Sequence, residues 1–217
     1  YNLIEFKKNH LLDNYELLDN PMKWCERELE CLPIYALKEI NYFFGKVIEN
    51  KYSLQLKVKR FGEFILSLLI LTLTSPIILF FAILIYLEDK GPIFYTQLRN
   101  GRNLKKFKIL KLRTMKIDAE IDGVKWSSAY DNRVTKIGYL LRKTRIDELP
   151  QLLNVLNGDM CLIGPRPERP EIDEILLKNI ENYAYRYNFT PGLSGWAQVC
   201  FPYGASIEDS KHKLSFD

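Results

Sequence analysis

The chain has 217 residues, 47% of them hydrophobic and 27% charged, with a formal net charge of +4. That leaves room for one domain with an appendage, excludes disorder by composition, and is too mild a charge to argue for nucleic acid by its sum. Four cysteines, at positions 25, 31, 161 and 200, make no CxxC pair, and only His10 and His212 occur, so zinc-ribbon, thioredoxin-like and histidine-dependent nucleophile chemistries lose their usual residues.

Residues 1–56 read as a helical lead-in whose function is not legible. Pro21 and Pro33 interrupt it, and Ile40, Phe43, Phe44 and Val47 follow the spacing of an amphipathic helix. The chain starts at Tyr1 and stops in KHKLSFD, which reads as a piece of a longer protein.

Residues 57–90 form the second segment. From Phe64 to Leu87 there are 24 residues without a charge, 17 of them Leu, Ile or Phe. As one helix this is about 36 Å, longer than the roughly 30 Å of a bilayer core. Those 17 residues favour insertion by roughly 5–10 kcal/mol, so a buried core helix is the weaker alternative. Both flanks are basic, with Lys57, Lys59 and Arg60 before the run and Lys90, Arg99 and Arg102 after it. A straight crossing would put one basic flank outside, against the positive-inside bias. A helix broken at Ser75-Pro76 that returns keeps both inside; this re-entrant form is the preferred reading, and a Pro-kinked crossing is its competitor.

Residues 91–217 make the third segment. IFYTQLR and KKFKILKLRTM flank Asn100-Gly101, which predicts a short hairpin. Its basic residues would lie at the lipid surface, where they attract anionic headgroups or, more specifically, dock a phosphorylated substrate through Lys111 and Arg113. Residues 131–144 predict a turn and a helix with Ile137, Leu140 and Leu141 on one face. Ile172, Ile175, Leu176 and Ile180 predict another. The expected class is α+β, mostly helical, with the membrane helix attached to a small domain.

Asp147 and Glu148 precede Pro150, the apolar run LLNVL and Gly158, the signature of a short helix with an acid pair at its positive end. Capping is the bland use of such a pair. Arg142, Lys143 and Arg145 crowd the same spot, and Arg166 returns between Pro165 and Pro167, which fix its backbone. Paired acids among cations suggest phosphate chemistry, because guanidinium groups grip phosphate bidentately. A structural salt bridge is the alternative for Arg166.

The order of these motifs resembles the bacterial sugar transferase family, the polyprenyl-phosphate sugar-1-phosphate transferases. The resemblance rests on KVKRFGEF, Ser75-Pro76, GPIFYTQLRNGRNLKKFKILKLRTM, DNRVTKIGYLLRKTRIDELPQLLNVLNGDMCLIGPRP and PGLSGWAQV, and covers about residues 57–204. GLSGWAQV and PYGAS resemble the larger, multi-domain members. The resemblance implies a re-entrant helix in the bacterial inner membrane, a cytoplasm-facing catalytic domain and Mg²⁺ held at the acid pair. It also implies a UDP-sugar donor, an undecaprenyl phosphate acceptor, and a place at the first membrane step of exopolysaccharide, capsule, O-antigen or glycan assembly. Asp147 matches the nucleophile and Glu148 its partner; Arg113, Arg145 and Arg166 are candidate phosphate contacts. Cys161 stands where Ser is usual, Ile146 where Leu is usual and Cys200 where Asn is frequent. A catalytically inactive, membrane-anchored interaction module is the competing function. A nucleic-acid surface along Arg99 to Lys116 has few interleaved aromatics, and no nucleic-acid partner is expected. The sugar and any homo-oligomeric state stay open.

Overall fold

A computed structural model describes residues 53–119, 131–201 and 206–217. The helix expected around Ile40 to Val47, Cys25 and Cys31, and most of PYGAS lie outside the described residues.

Helix α1, Ser53–Asp89, is continuous over 37 residues and carries Pro76 inside it. It is long and apolar enough to cross a membrane, and only 11% of its apolar window is buried. A soluble core helix would hide most of that surface, so the core reading fails here. No break in the helix is seen at Ser75-Pro76, and its chemistry explains how it continues. Pro76 has no N–H for the Thr72 carbonyl; the Ser75 hydroxyl donates to that oxygen instead, at 2.8 Å. Thr72 and Thr74 donate back to Leu68 and Ile70 in the same way, both at 2.8 Å.

One narrow face of α1 is covered from Arg60 to Ile85. Arg60, Glu63, Ser67, Ile70, Thr74, Ile78, Phe81 and Ile85 recur at helical spacing as its buried or half-buried residues. Near its start, Arg60 donates to the Leu156 carbonyl at 3.0 Å, and Glu63 accepts from Leu162 N–H at 3.3 Å. Near its end, Ile85 packs with Leu112 and Leu141, Glu88 accepts from Lys136 N–H at 3.1 Å, and Asp89 pairs with Arg113. The other faces display Leu69, Leu73, Phe80, Ile83 and Leu87 to the surroundings.

Strands β1, Phe94–Asn100, and β2, Lys106–Leu112, pair antiparallel as predicted, with Asn100 opposite Lys106. The turn differs from the expectation. Asn100 ends the strand, and residues 101–105 form the loop, with Asn103 and Leu104 at positive φ. The Asn100 amide donates to Asp173 Oδ2 at 2.7 Å, so tertiary bonding takes this asparagine out of a two-residue turn.

Helix α2, Lys136–Thr144, is capped by Thr135, which accepts from Gly138 N–H. Gly138 is required by closeness: a Cβ there would lie 2.0 Å from the Thr114 carbonyl oxygen. A 3₁₀ turn, Ile146–Gln151, leads into α3, Leu152–Asn157, and Gly158 closes α3 at φ 91°. The acid pair thus sits in the 3₁₀ turn, ahead of the helix. Asn154 fastens α3 to the edge of β2, donating to Lys108 O at 2.8 Å and accepting from Leu110 N–H at 3.1 Å. Val155 and Met160 meet Phe107 and Ile109 beneath it in one core cluster.

Strand β3, Cys161–Ile163, pairs parallel with β4, Gly192–Ser194. Between them lie α4, Pro170–Asn179, and a 3₁₀ turn, Tyr183–Asn188. Leu176, Ile180, Tyr183, Tyr187 and Leu214 form a separate core. Short helices α5, Trp196–Cys200, and α6, Ile207–Leu214, close the described chain. The outcome is the α+β, mostly helical class expected, with two small sheets instead of one hairpin.

Candidate active site

The fold turns the acid pair inward. Arg145 takes a left-handed conformation, φ 60° and ψ 14°, and reverses the chain between α2 and the 3₁₀ turn. Asp147 and Glu148 are left 7% and 9% exposed, far from the solvated state a capping pair would keep.

Glu148 Oε1 is the meeting point of three cations from three elements. Lys111 Nζ, on β2, lies at 2.9 Å; Arg166 Nη2, in the turn after β3, at 3.0 Å; Arg145 Nη1 at 3.7 Å. Three of the four cations singled out from sequence are therefore gathered on one carboxylate. Arg113 is not part of this group: its guanidinium pairs with Asp89 and locks the chain as it leaves α1.

The two acids experience opposite fields. Burial alone would raise Glu148, but Arg166 and Lys111 outweigh it and hold the carboxyl at about 2. For Asp147 burial prevails: its pKa is raised, against the opposing charges of Lys111, Arg142 and Arg145 and with the help of the Glu148 charge. Asp147 Oδ1 is buried with no hydrogen-bond partner among the described residues. Adjacent carboxylates whose surroundings push their pKa values apart are a common basis for divided catalytic roles.

Sequence reasoning missed two residues here, Gln198 and Arg186, and named Arg142 only as one of the basic residues crowding the pair. Arg142 Nε donates to Thr114 Oγ1 at 2.9 Å, and its charge acts on Asp147. Gln198, on α5, accepts from Arg166 Nη1 at 2.6 Å. Arg186 donates to the Arg166 carbonyl at 2.8 Å, stacks over Tyr183 and pairs with Asp217. The prolines around Arg166 were the only local hint that its neighbourhood is built to be rigid. Cys161 is structural: its Sγ–H faces the carbonyls of Ile163 and Thr190, and burial pushes the thiol up to about 11.

Among the described residues no three metal-ligating side chains cluster. That donor set suits Mg²⁺ better than zinc, because Mg²⁺ keeps waters and takes one or two carboxylates beside substrate phosphates. The unpartnered Asp147 Oδ1, with Glu148 adjacent, fits such an ion.

A membrane-competent helix carrying a small α+β unit, with an acid pair buried among cations, defines a membrane-associated class whose site suits anionic substrates. The chain belongs to the bacterial sugar transferase family, whose sequence profile matches residues 54–217. It is 38% identical over 198 residues to the UDP-N-acetylgalactosamine-undecaprenyl-phosphate N-acetylgalactosaminephosphotransferase of Aeromonas hydrophila, covering 86% of this chain and 47% of that protein. A Bacillus subtilis (strain 168) protein, provisionally named an undecaprenyl-phosphate N-acetylgalactosaminyl 1-phosphate transferase, is 44% identical over 161 residues, 74% of this chain and 88% of its own. The UDP-glucose:undecaprenyl-phosphate glucose-1-phosphate transferase of Escherichia coli (strain K12) is 38% identical over 162 residues, 74% of this chain and 35% of its own. The chain thus spans about half or less of the Aeromonas and Escherichia proteins.

Proposed function

We propose that the protein transfers a sugar-1-phosphate from a UDP-sugar to undecaprenyl phosphate at the cytoplasmic face of the inner membrane, releasing UMP. In the first step an Asp147 carboxylate oxygen attacks the phosphorus that bears the sugar. The bond to the bridging oxygen breaks and UMP leaves with that electron pair. In the second step a phosphate oxygen of the lipid acceptor attacks the same phosphorus, the Asp147–phosphorus bond breaks, and the carboxylate is regenerated. Carboxylate nucleophiles forming acyl phosphates are known chemistry. N-acetylgalactosamine and glucose, named for the relatives, are the first donors to try.

The observation that carries this reading is the division of the acid pair. Raising the pKa of Asp147 makes its carboxylate more basic and so more nucleophilic. Glu148 stays charged and gathers Lys111, Arg145 and Arg166 where phosphate charge would develop. Phosphoryl transfer depends mainly on such charge neutralisation and positioning. Mg²⁺, held by Asp147 and Glu148, would supply further neutralisation of the donor phosphates when bound.

The grip on α1 supports a topology with both flanks on one side. Its residues 60–63 and 85–89, about 40 Å apart along a straight helix, touch the same domain. A perpendicular crossing would drag polar parts of that domain through hydrocarbon, which is costly. A helix that stays helical but bends at Pro76 within one leaflet would avoid this and leave the site at headgroup level, where a soluble nucleotide sugar meets a lipid phosphate.

The deciding experiment incubates the detergent-solubilised protein with Mg²⁺ and UDP-sugars labelled in the sugar-linked phosphate, without lipid. UMP release together with label retained on Asp147 is expected. Transfer that requires both substrates at once, with no labelled protein, would replace this mechanism by direct displacement.

A further inference from the structure

Arg166 is held from two sides, and the reaction scheme uses only the Glu148 side. Its Nη2 meets Glu148 Oε1 at 3.0 Å, and its Nη1 meets Gln198 Oε1 at 2.6 Å. Two acceptors on one planar fork fix the plane as well as the position of a guanidinium. The backbone is fixed independently, by Pro165 and Pro167 and by the Arg186 bond to the Arg166 carbonyl.

The amide of Gln198 shows which need sets its orientation. Arginine offers only donors, so Gln198 must turn its oxygen toward Arg166. Its Nε2 is then left buried with no partner among the described residues. Burying an unsatisfied amide is unfavourable, so the bond to Arg166 takes precedence over the glutamine's own satisfaction. The α5 backbone presents it firmly, with Gln198 N–H bonded to the Gly195 carbonyl at 2.9 Å. Gly195 itself abuts Gly164 at the end of β3: a Cβ there would lie 2.3 Å from the Gly164 carbonyl oxygen. The turn that carries Arg166 and the helix that carries Gln198 are thereby packed backbone to backbone.

We infer that Gln198 is a positioning residue: its side-chain oxygen aims the Arg166 guanidinium at Glu148 and at the phosphate undergoing transfer. Without it, Arg166 loses the acceptor on its Nη1 that, with Glu148 on Nη2, sets the plane of the fork. The role rests on the proposed transfer reaction and acts through Arg166, with no contact to the substrate required of Gln198 itself.

The test is a double-mutant cycle on single-turnover UMP release, with Gln198→Met, which keeps length but removes the acceptor, and Gln198→Glu, which keeps an acceptor oxygen. Gln198→Met is expected to slow release by about tenfold or more through misorientation, and Gln198→Glu to recover the rate at saturating donor while raising the KM for the anionic nucleotide. In an Arg166→Lys background the Met substitution should cost less than about twofold further. A purely structural role would give the same loss in both backgrounds, and that result would overturn the inference, as would a wild-type rate for Gln198→Met or equal slowing by Met and Glu. A second readout does not need turnover. Resolved guanidinium NMR signals, assigned to Arg166 by their loss in Arg166→Lys, should be seen in the wild type and average together in Gln198→Met; unchanged signals would also overturn it. A wild-type protein that releases no UMP from any UDP-sugar would sink the functional reading instead, and the NMR comparison would still decide whether Gln198 holds Arg166.

Discussion

Arg166 Nη2 and Glu148 Oε1 lie 3.0 Å apart, and that same carboxylate oxygen takes the Lys111 ammonium at 2.9 Å. One atom thus joins β2, the 3₁₀ turn and the turn after β3. It also separates the acids electrostatically: Glu148 has the close cations, whereas Asp147 beside it has an unpartnered oxygen.

Lys111→Met should therefore impair chemistry more than binding. It removes one of the two nearest cations from Glu148 and a positive charge from beside the reacting phosphate. Single-turnover UMP release is expected to fall about 10²–10³-fold, the size usual for losing one preorganised electrostatic group, with a much smaller change in donor affinity by calorimetry.

Asp147 sets a conflict between activity and stability. Its raised pKa means that the folded protein disfavours the charged carboxylate; the penalty is present above the folded pKa and vanishes below the unfolded one. Asp147→Asn should abolish retention of label while raising the thermal midpoint at neutral pH. In the wild type, the rate of the first step should fall on acidification at a pH above the ordinary aspartate value of 3.8.

Glu148 has the opposite sign. Its carboxyl is depressed from 4.5 to about 2, so its stabilising effect is complete above 4.5 and is lost as pH falls through about 2. The shift corresponds to roughly 3 kcal/mol over that window. Denaturant unfolding between neutral pH and the acid range should show that loss in the wild type, and Glu148→Gln should be less stable at neutral pH and flatter with pH.

Gly138→Ala tests the contact between α2 and the chain after β2. The added methyl meets backbone at 2.0 Å, which no side-chain rotamer relieves. A loss of about 1–3 kcal/mol or more is expected from overpacking, read as a lowered denaturation midpoint.

The topology predicts a labelling pattern. Single cysteines at Lys57 and Lys90, in a background lacking the native cysteines, should react with a membrane-impermeant maleimide from the same side of oriented vesicles. Opposite-side labelling would establish a crossing. Ser75→Ala should weaken the helix locally, because the Thr72 carbonyl loses its replacement donor in a place without water.

Much of this was readable from residues 57–200. The uncharged run, the hairpin, the periodic helices at Ile137 and Ile172 and the acid pair before Gly158 all follow from local pattern, and local pattern is what sequence encodes directly. The exceptions are long-range. Asn100-Gly101 signals a tight turn, but Asp173, 73 positions away, claims the asparagine. Arg113 has the right charge for the site and the wrong neighbour, Asp89. Three-residue strands such as β3 and β4 carry too little alternation to announce a parallel pairing. Gln198 lies 32 positions from Arg166, and nothing in WAQVC marks it as a partner.

The narrow covered face of α1 bears on where in a cell such a protein can work. A spanning helix must match its length to the local bilayer, and mismatch sorts spanning proteins among membranes of different thickness. On the topology proposed above, a helix fastened to one domain at residues 60–63 and again at residues 85–89 has no far end to match. It floats at a depth fixed by its own protein, indifferent to the opposite leaflet, and the composition of the near leaflet alone would govern its attachment.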